Sequence, residues 1–226
     1  MKKAILLGLA MGIANLSQAQ FGLPKETYLS PELNTSLKTH KTIAILPVEV
    51  RFVYKTQQMN FNTEAEHTAE INSGIILQSN LYSYLLPKSN KMSVKIQDIE
   101  TTNILLKRAE ESQKTTGFTK AEMAKILGVD AVVSTLYETE RPLPEVVIYR
   151  GRSNSTTTTT SSPVTGTTSK TTEDPVYYSA GLTLSLSEGP DGTLLWRYYK
   201  KTYGANTYAL SDELIPKALK EFPYTK

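Results

Sequence analysis

Residues Thr119 to Glu138, TKAEMAKILGVDAVVSTLYE, constrain the chain more than any other stretch. Thr119 and Glu122 have capping-box spacing, in which each side chain satisfies a backbone N–H left free at a helix start. Met123, Ala124, Ile126 and Leu127 give that helix an apolar side. Gly128 is placed to close it in the left-handed conformation. Asp130 then leads into Ala131-Val132-Val133, a run too apolar and β-branched for an exposed loop. A short helix, a stop and a buried strand follow from local chemistry alone. That combination belongs to an α/β domain, and it encodes packing rather than a reaction.

The N-terminus has its own pattern. Met1-Lys2-Lys3 is basic, Ala4 to Ala14 is apolar, and Ser17-Gln18-Ala19 places small residues before a cut at Gln20. This is the three-part pattern of a secretory signal peptide over residues 1–19, so the protein is expected to be exported. The apolar run is shorter than the roughly 20 residues that span a bilayer, and no later stretch is long and apolar enough for a membrane helix. The chain of 226 residues has no cysteine, which excludes disulfides, thiolate metal sites, a cysteine nucleophile and a lipid-acylated cysteine. The net charge is +3, and two of the positive charges, Lys2 and Lys3, lie in the segment expected to be removed. So small an excess points to neither nucleic acid nor an anionic membrane surface as partner.

Taken in order, residues 20–40 carry Pro24 and Pro31 among polar side chains and read as an extended lead-in. Thr42 to Val48 is a central strand ended or edged by Pro47, because proline cannot donate to a ladder. Arg51 to Asn62 reads as a loop. Thr63 and Glu66 form a second capping box, opening a long helix to about Leu86. Met92 to Ile96 is a short strand candidate, and Asp98 caps a helix carrying Ile99, Leu105, Leu106 and Ala109, with Gly117 at its end. Val146 to Tyr149 extends a strand. The insertion 152–174, dominated by Thr, Ser and Gly, has too little apolar surface to offset its ordering entropy and reads as a flexible loop.

Tyr177 to Leu186 then alternates cleanly, with Tyr178, Ala180, Leu182, Leu184 and Leu186 facing one way. Gly189-Pro190-Asp191-Gly192 turns it into the strand Leu194 to Tyr199. Ser211 caps a closing helix with Leu214, Ile215 and Leu219 on its apolar side, stopped by Pro223. The expected order is β-α-β-α-α-β-loop-β-β-α. The fold class is α/β of the α+β kind: one domain over 41–222, a mixed sheet with flanking helices and a C-terminal antiparallel hairpin.

Candidate sites are few. Glu64, His67 and Glu70 share a helix face at three-residue spacing, but one helical turn rarely completes a coordination sphere, and a solvated acidic helix start accounts for them. No nucleophile elbow, phosphate loop or dinucleotide fingerprint is present, and His40 and His67 are the only histidines a serine nucleophile could use. The chain is therefore expected to be non-catalytic, with no cofactor and no metal. Tyr177, Tyr178, Trp196, Tyr198 and Tyr199 form a possible interaction surface, since tyrosine joins an apolar body to a polar tip. The competing account is that aromatics are favoured strand residues on half-buried faces. Tyr177 to Leu186 is also about as long as a membrane β-strand, but Arg197, Lys200 and Lys201 interrupt its partner, and a half-buried sheet explains both strands better.

Three motifs carry a resemblance. Lys41-Thr42-Ile43-Ala44-Ile45-Leu46-Pro47 resembles the opening strand of the CsgG-type curli secretion-channel family and of TolB N-terminal-like domains. Leu127 to Ser134 resembles their helix-to-strand step, and Leu182 to Leu186 with Gly192 to Trp196 resembles their hairpin. The resemblance implies an envelope α/β domain that assembles or supports a transport or surface structure. Two departures stand out: the lipid-bearing cysteine typical of the family is missing, and the long insertion is hydrophilic where the channel members insert apolar hairpins. The expectation is an exported protein of the periplasm or outer membrane, acting on an envelope protein partner or on itself. The alternative is a binding module for a small ligand or glycan, built on the tyrosine-rich hairpin.

Overall fold

The structure, a computed structural model, describes residues 24–54, 63–114, 117–141, 178–204 and 207–225. The signal-peptide pattern, Val146 to Tyr149 and the insertion 152–174 lie outside these residues. The elements are β1 (Lys25–Leu29), α1 (Leu33–Thr39), β2 (Thr42–Ile45), β3 (Glu49–Tyr54), α2 (Thr63–Leu85), β4 (Lys95–Ile96), α3 (Ile99–Gln113), α4 (Lys120–Leu127), β5 (Ala131–Arg141), β6 (Tyr178–Glu188), β7 (Leu194–Gly204) and α5 (Thr207–Glu221). One mixed sheet runs β1-β7-β6-β5-β2-β4. The β2–β4 and β2–β5 pairs are parallel, whereas β1–β7, β5–β6 and β6–β7 are antiparallel. This is the α+β fold expected.

The α4–β5 step forms as its residues dictate. Thr119 accepts from the Glu122 amide while the Glu122 carboxylate accepts from the Thr119 amide, and Gly128 closes the helix at φ 66°. Asp98 likewise caps α3, accepting from the Thr101 amide. Pro47 ends β2, and the chain resumes as β3 beside the later part of the same strand: β5 pairs with β2 through Val133 and with β3 from Leu136.

Helices cover both faces of the sheet. One core joins Ile43, Ile45, Leu81, Leu184, Trp196, Leu214 and Phe222, placing α2 and α5 on one side. The other joins Ala44, Leu46, Leu106, Leu127 and Val132 under α3 and α4.

Several expectations are corrected. Residues 25–39 of the supposed lead-in form β1 and α1, so the folded unit begins before residue 41. All five residues of β1 are exposed, so it has no apolar alternation to read; backbone pairing with β7 makes it a strand. Arg51 to Tyr54 is strand β3 rather than loop, again set by pairing with β5. The candidate strand Met92 to Ile96 shrinks to Lys95–Ile96. Helix α3 ends at Gln113, where Lys114 takes the left-handed conformation at φ 51°, and not at Gly117. Ser211 is not a cap: α5 starts at Thr207, and Ser211 is buried inside it. The unit also runs past Phe222, because Tyr224 in the following 3-10 turn enters the core.

Candidate functional site

The aromatic hairpin divides by strand alternation. Trp196 and Tyr198 are each only 1% exposed. Their rings stack at 6.3 Å, and Trp196 meets the edge of Phe222 at 5.7 Å. They point to the face covered by α5, so they are core residues, and the expected interaction surface loses them. Tyr178 is half-buried and packs against that same core. Tyr199, also half-buried, points to the opposite face together with exposed Arg197 and Tyr203. There Lys201 Nζ reaches Glu140 Oε1 at 2.9 Å across the intervening strand. Tyr177 lies outside the described residues. Alternation in the sequence separates the two faces of β7; only α5 shows which one is buried.

The histidines part company. On α2, Glu70 Oε1 accepts the Phe52 amide at 2.9 Å, and its Oε2 is 3.9 Å from Nδ1 of the exposed His67. That carboxylate is tied to β3. Among the described residues no three His, Asp or Glu side chains are grouped so as to hold a metal ion.

His40 is buried between β2 and the C-terminus. Its Nδ1 meets the Tyr224 hydroxyl, and its Nε2 lies 2.8 Å from Glu188 Oε1. Burial, then the charges of Glu188 and Asp130, push the Tyr224 phenol well above its ordinary range. The Glu188 carboxylate can only accept, so Nε2–H donates to it, and Nδ1 of the neutral ring then accepts from the Tyr224 hydroxyl. Asp130 lies alongside, its Oδ2 accepting the amides of Lys41 and Thr42 at 2.8 Å each. Burial raises the Asp130 carboxyl, but these amides and the nearby His40 and Lys41 outweigh it and hold it below the usual range.

A cleft of about 640 Å³ opens over this network, walled by α4 and the β6–β7 turn. The hydroxyl–imidazole–carboxylate order is that of a proton relay, yet both ring nitrogens are occupied and Tyr224 is 5% exposed. The network ties three distant segments together. His40→Ala should cost about 2 kcal/mol, because it strands a buried phenol and a carboxylate oxygen, and Tyr224→Phe about 1 kcal/mol. Urea unfolding monitored by circular dichroism checks both; two unchanged midpoints would remove the network from the fold's support. Sequence reading missed this triad because its members are 184 and 148 residues apart.

A second, smaller pocket of about 130 Å³ lies between α2, β3, β5 and α5. Val50, Phe52, Ile76 and Leu77 supply its apolar lining, and Ser73, Asn80, Tyr137, Thr139, Ser211 and Asp212 its polar lining. Burial first, and the charge of Asp212 second, push the Tyr137 phenol up to about 12.

Helix α2 also leaves apolar side chains in water. Its buried residues are Gly74, Leu77, Gln78, Leu81 and Leu85. Ile71 and Ile75, one turn apart, are each 52% exposed, and Ile76 is exposed to a similar degree. Among the described residues no helix is long and apolar enough to cross a membrane.

No protein-family model matches the chain, and no curated protein matches it. Solved structures resemble it weakly. The PelC dodecamer from Paraburkholderia phytofirmans is 13% identical with a TM-score of 0.39, over 87% of this chain and 94% of that one. The LpoB C-terminal domain from Salmonella enterica is 10% identical with a TM-score of 0.32, over 78% and 94% of the two chains. Lipoprotein GNA1162 from Neisseria meningitidis is 10% identical with a TM-score of 0.33, over 80% and 96%. The resemblance to CsgG-type and TolB-like domains thus rests on its three sequence motifs alone.

Proposed function

We propose that this chain is an exported, non-catalytic cell-envelope protein that works by protein–protein contact, in the assembly or support of an envelope or transport structure. The observation that carries this reading is the exposed apolar side of α2. Three isoleucines, Ile71, Ile75 and Ile76, stand about half in water on a helix whose other side already fills the core. Scattered exposed apolar residues are ordinary, but neighbouring ones on a regular element mark contact surfaces. The signal-peptide pattern and the envelope-type motifs agree with it. Trp196 and Tyr198 do not supply the surface, since they are inside.

A photoreactive residue placed at Ile75 in the full chain tests this in its native cells. The expected result is a discrete adduct, to another envelope protein or to a second copy, that is lost when Ile71→Glu is added. The Ile71→Glu change itself should alter stability by less than about 0.5 kcal/mol, as surface substitutions do. No adduct at Ile75 beyond that formed from exposed Lys107 on α3 would sink the proposal. Light scattering on the chain from Gln20 onward separates the two partners: a defined oligomer identifies the second copy, and a monomer leaves a different envelope protein.

A further inference from the structure

The pocket between α2, β3, β5 and α5 has a feature that packing leaves unexplained. Thr139 lines it and is only 2% exposed, yet its Oγ1 has no hydrogen-bond partner. Buried hydroxyls are nearly always bonded, so an orphan in the wall of a pocket asks for a bonding group from outside the chain. The lining describes that group. Val50 and Leu77 are buried aliphatic walls, which favour an apolar body. The volume, about 130 Å³, is close to the roughly 150 Å³ aliphatic cavity that holds one benzene ring.

The polar side selects the head group. Asp212 stands at the pocket and repels a carboxylate or phosphate. A hydroxyl can accept from Thr139 and donate to a neighbouring oxygen at once. Ile76, half exposed, marks the mouth. The neutral Tyr137 phenol keeps the interior free of a second negative charge.

We propose that this pocket binds a small neutral alcohol or phenol, with its ring or branched body against Val50 and Leu77 and its hydroxyl bonded to Thr139. The pocket meets the α2 surface at Ile76, but the proposal does not depend on the contact proposed there.

Phenol is the probe, toluene its match without a hydroxyl, and methyl-resolved NMR on the isotope-labelled full chain the measurement. Phenol should give saturable shifts and nuclear Overhauser contacts from its ring to the Val50 and Leu77 methyls. Thr139→Val, which keeps the shape and removes the hydroxyl, should weaken phenol about fivefold and leave toluene unchanged. Ser73→Phe, on a half-buried wall position, should abolish binding of both. Absence of ring-to-methyl contacts, equal binding in Ser73→Phe, or equal effects of Thr139→Val on the two probes would each overturn the proposal. If either variant loses its dispersed spectrum, the wild-type protein decides: phenol bound no more tightly than toluene rejects recognition through the hydroxyl.

Discussion

Trp196→Ala is expected to lower the unfolding free energy by about 4 kcal/mol, the usual range for truncating a fully buried large aromatic. The ring is 1% exposed, stacked on Tyr198 and set against the edge of Phe222. Phe222 in turn meets Tyr224 at 5.5 Å, so the aromatic cluster continues from β7 into the C-terminal turn. Removing Trp196 opens a cavity where sheet, α5 and that turn meet. Urea unfolding followed by far-ultraviolet circular dichroism gives the number, since this is the chain's one tryptophan and its fluorescence leaves with it. A loss below about 1 kcal/mol would mean that the hairpin face is not packed as described, and would return Trp196 to the role of a surface residue. The photocrosslink from α2 should persist wherever the variant remains folded, because Trp196 is separated from Ile75 by the core.

Gly74→Ala is expected to cost about 3 kcal/mol, the upper range for forcing extra atoms into a packed site. The sign is the interesting part. Inside a helix, glycine to alanine normally stabilises by about 1 kcal/mol. Here a Cβ at position 74 would lie 2.3 Å from the carbonyl oxygen of Val48. The obstacle is backbone, just after Pro47, where the chain passes from β2 to β3. It cannot turn aside as a side chain would. Helix α2 would have to lift from the sheet, disturbing Leu77 and Leu81 together. Gly117 is the matched control: nothing lies within 4 Å of its added Cβ, and Gly117→Ala should change stability by less than about 0.5 kcal/mol. A Gly74→Ala midpoint at or above that of the unsubstituted protein would show that Gly74 reflects helix propensity and not close packing.

Much of this architecture was legible because its signals are local. The capping box at Thr119 and Glu122, the left-handed Gly128 and the Asp98 cap each involve residues within a few positions of one another. The Gly189 to Gly192 turn between β6 and β7 is of the same kind, with Thr193 donating to Asp191 at 2.8 Å. What escaped reading was stabilised from a distance. β1 has no buried side chain, and β3 needs β5 to be recognised as a strand. The lead-in residue His40 became a buried centre only because Glu188 and Tyr224 arrive from the other end of the chain.

The sequence by itself determined the α+β class, the helix-to-strand step at Gly128, the antiparallel hairpin and the helix starts capped by Asp98 and Thr119. These depend on capping, periodicity and turn chemistry, which neighbouring residues settle among themselves. Only the tertiary structure decided which side of the hairpin is core, that Pro47 divides one strand position into β2 and β3, and that Thr139 is left unbonded in a pocket. The reason is physical. Alternation places residues on two faces of a strand, but burial depends on the helix that covers one of them. Here α5 covers the face bearing Trp196 and Tyr198 and leaves Arg197 and Tyr203 in water.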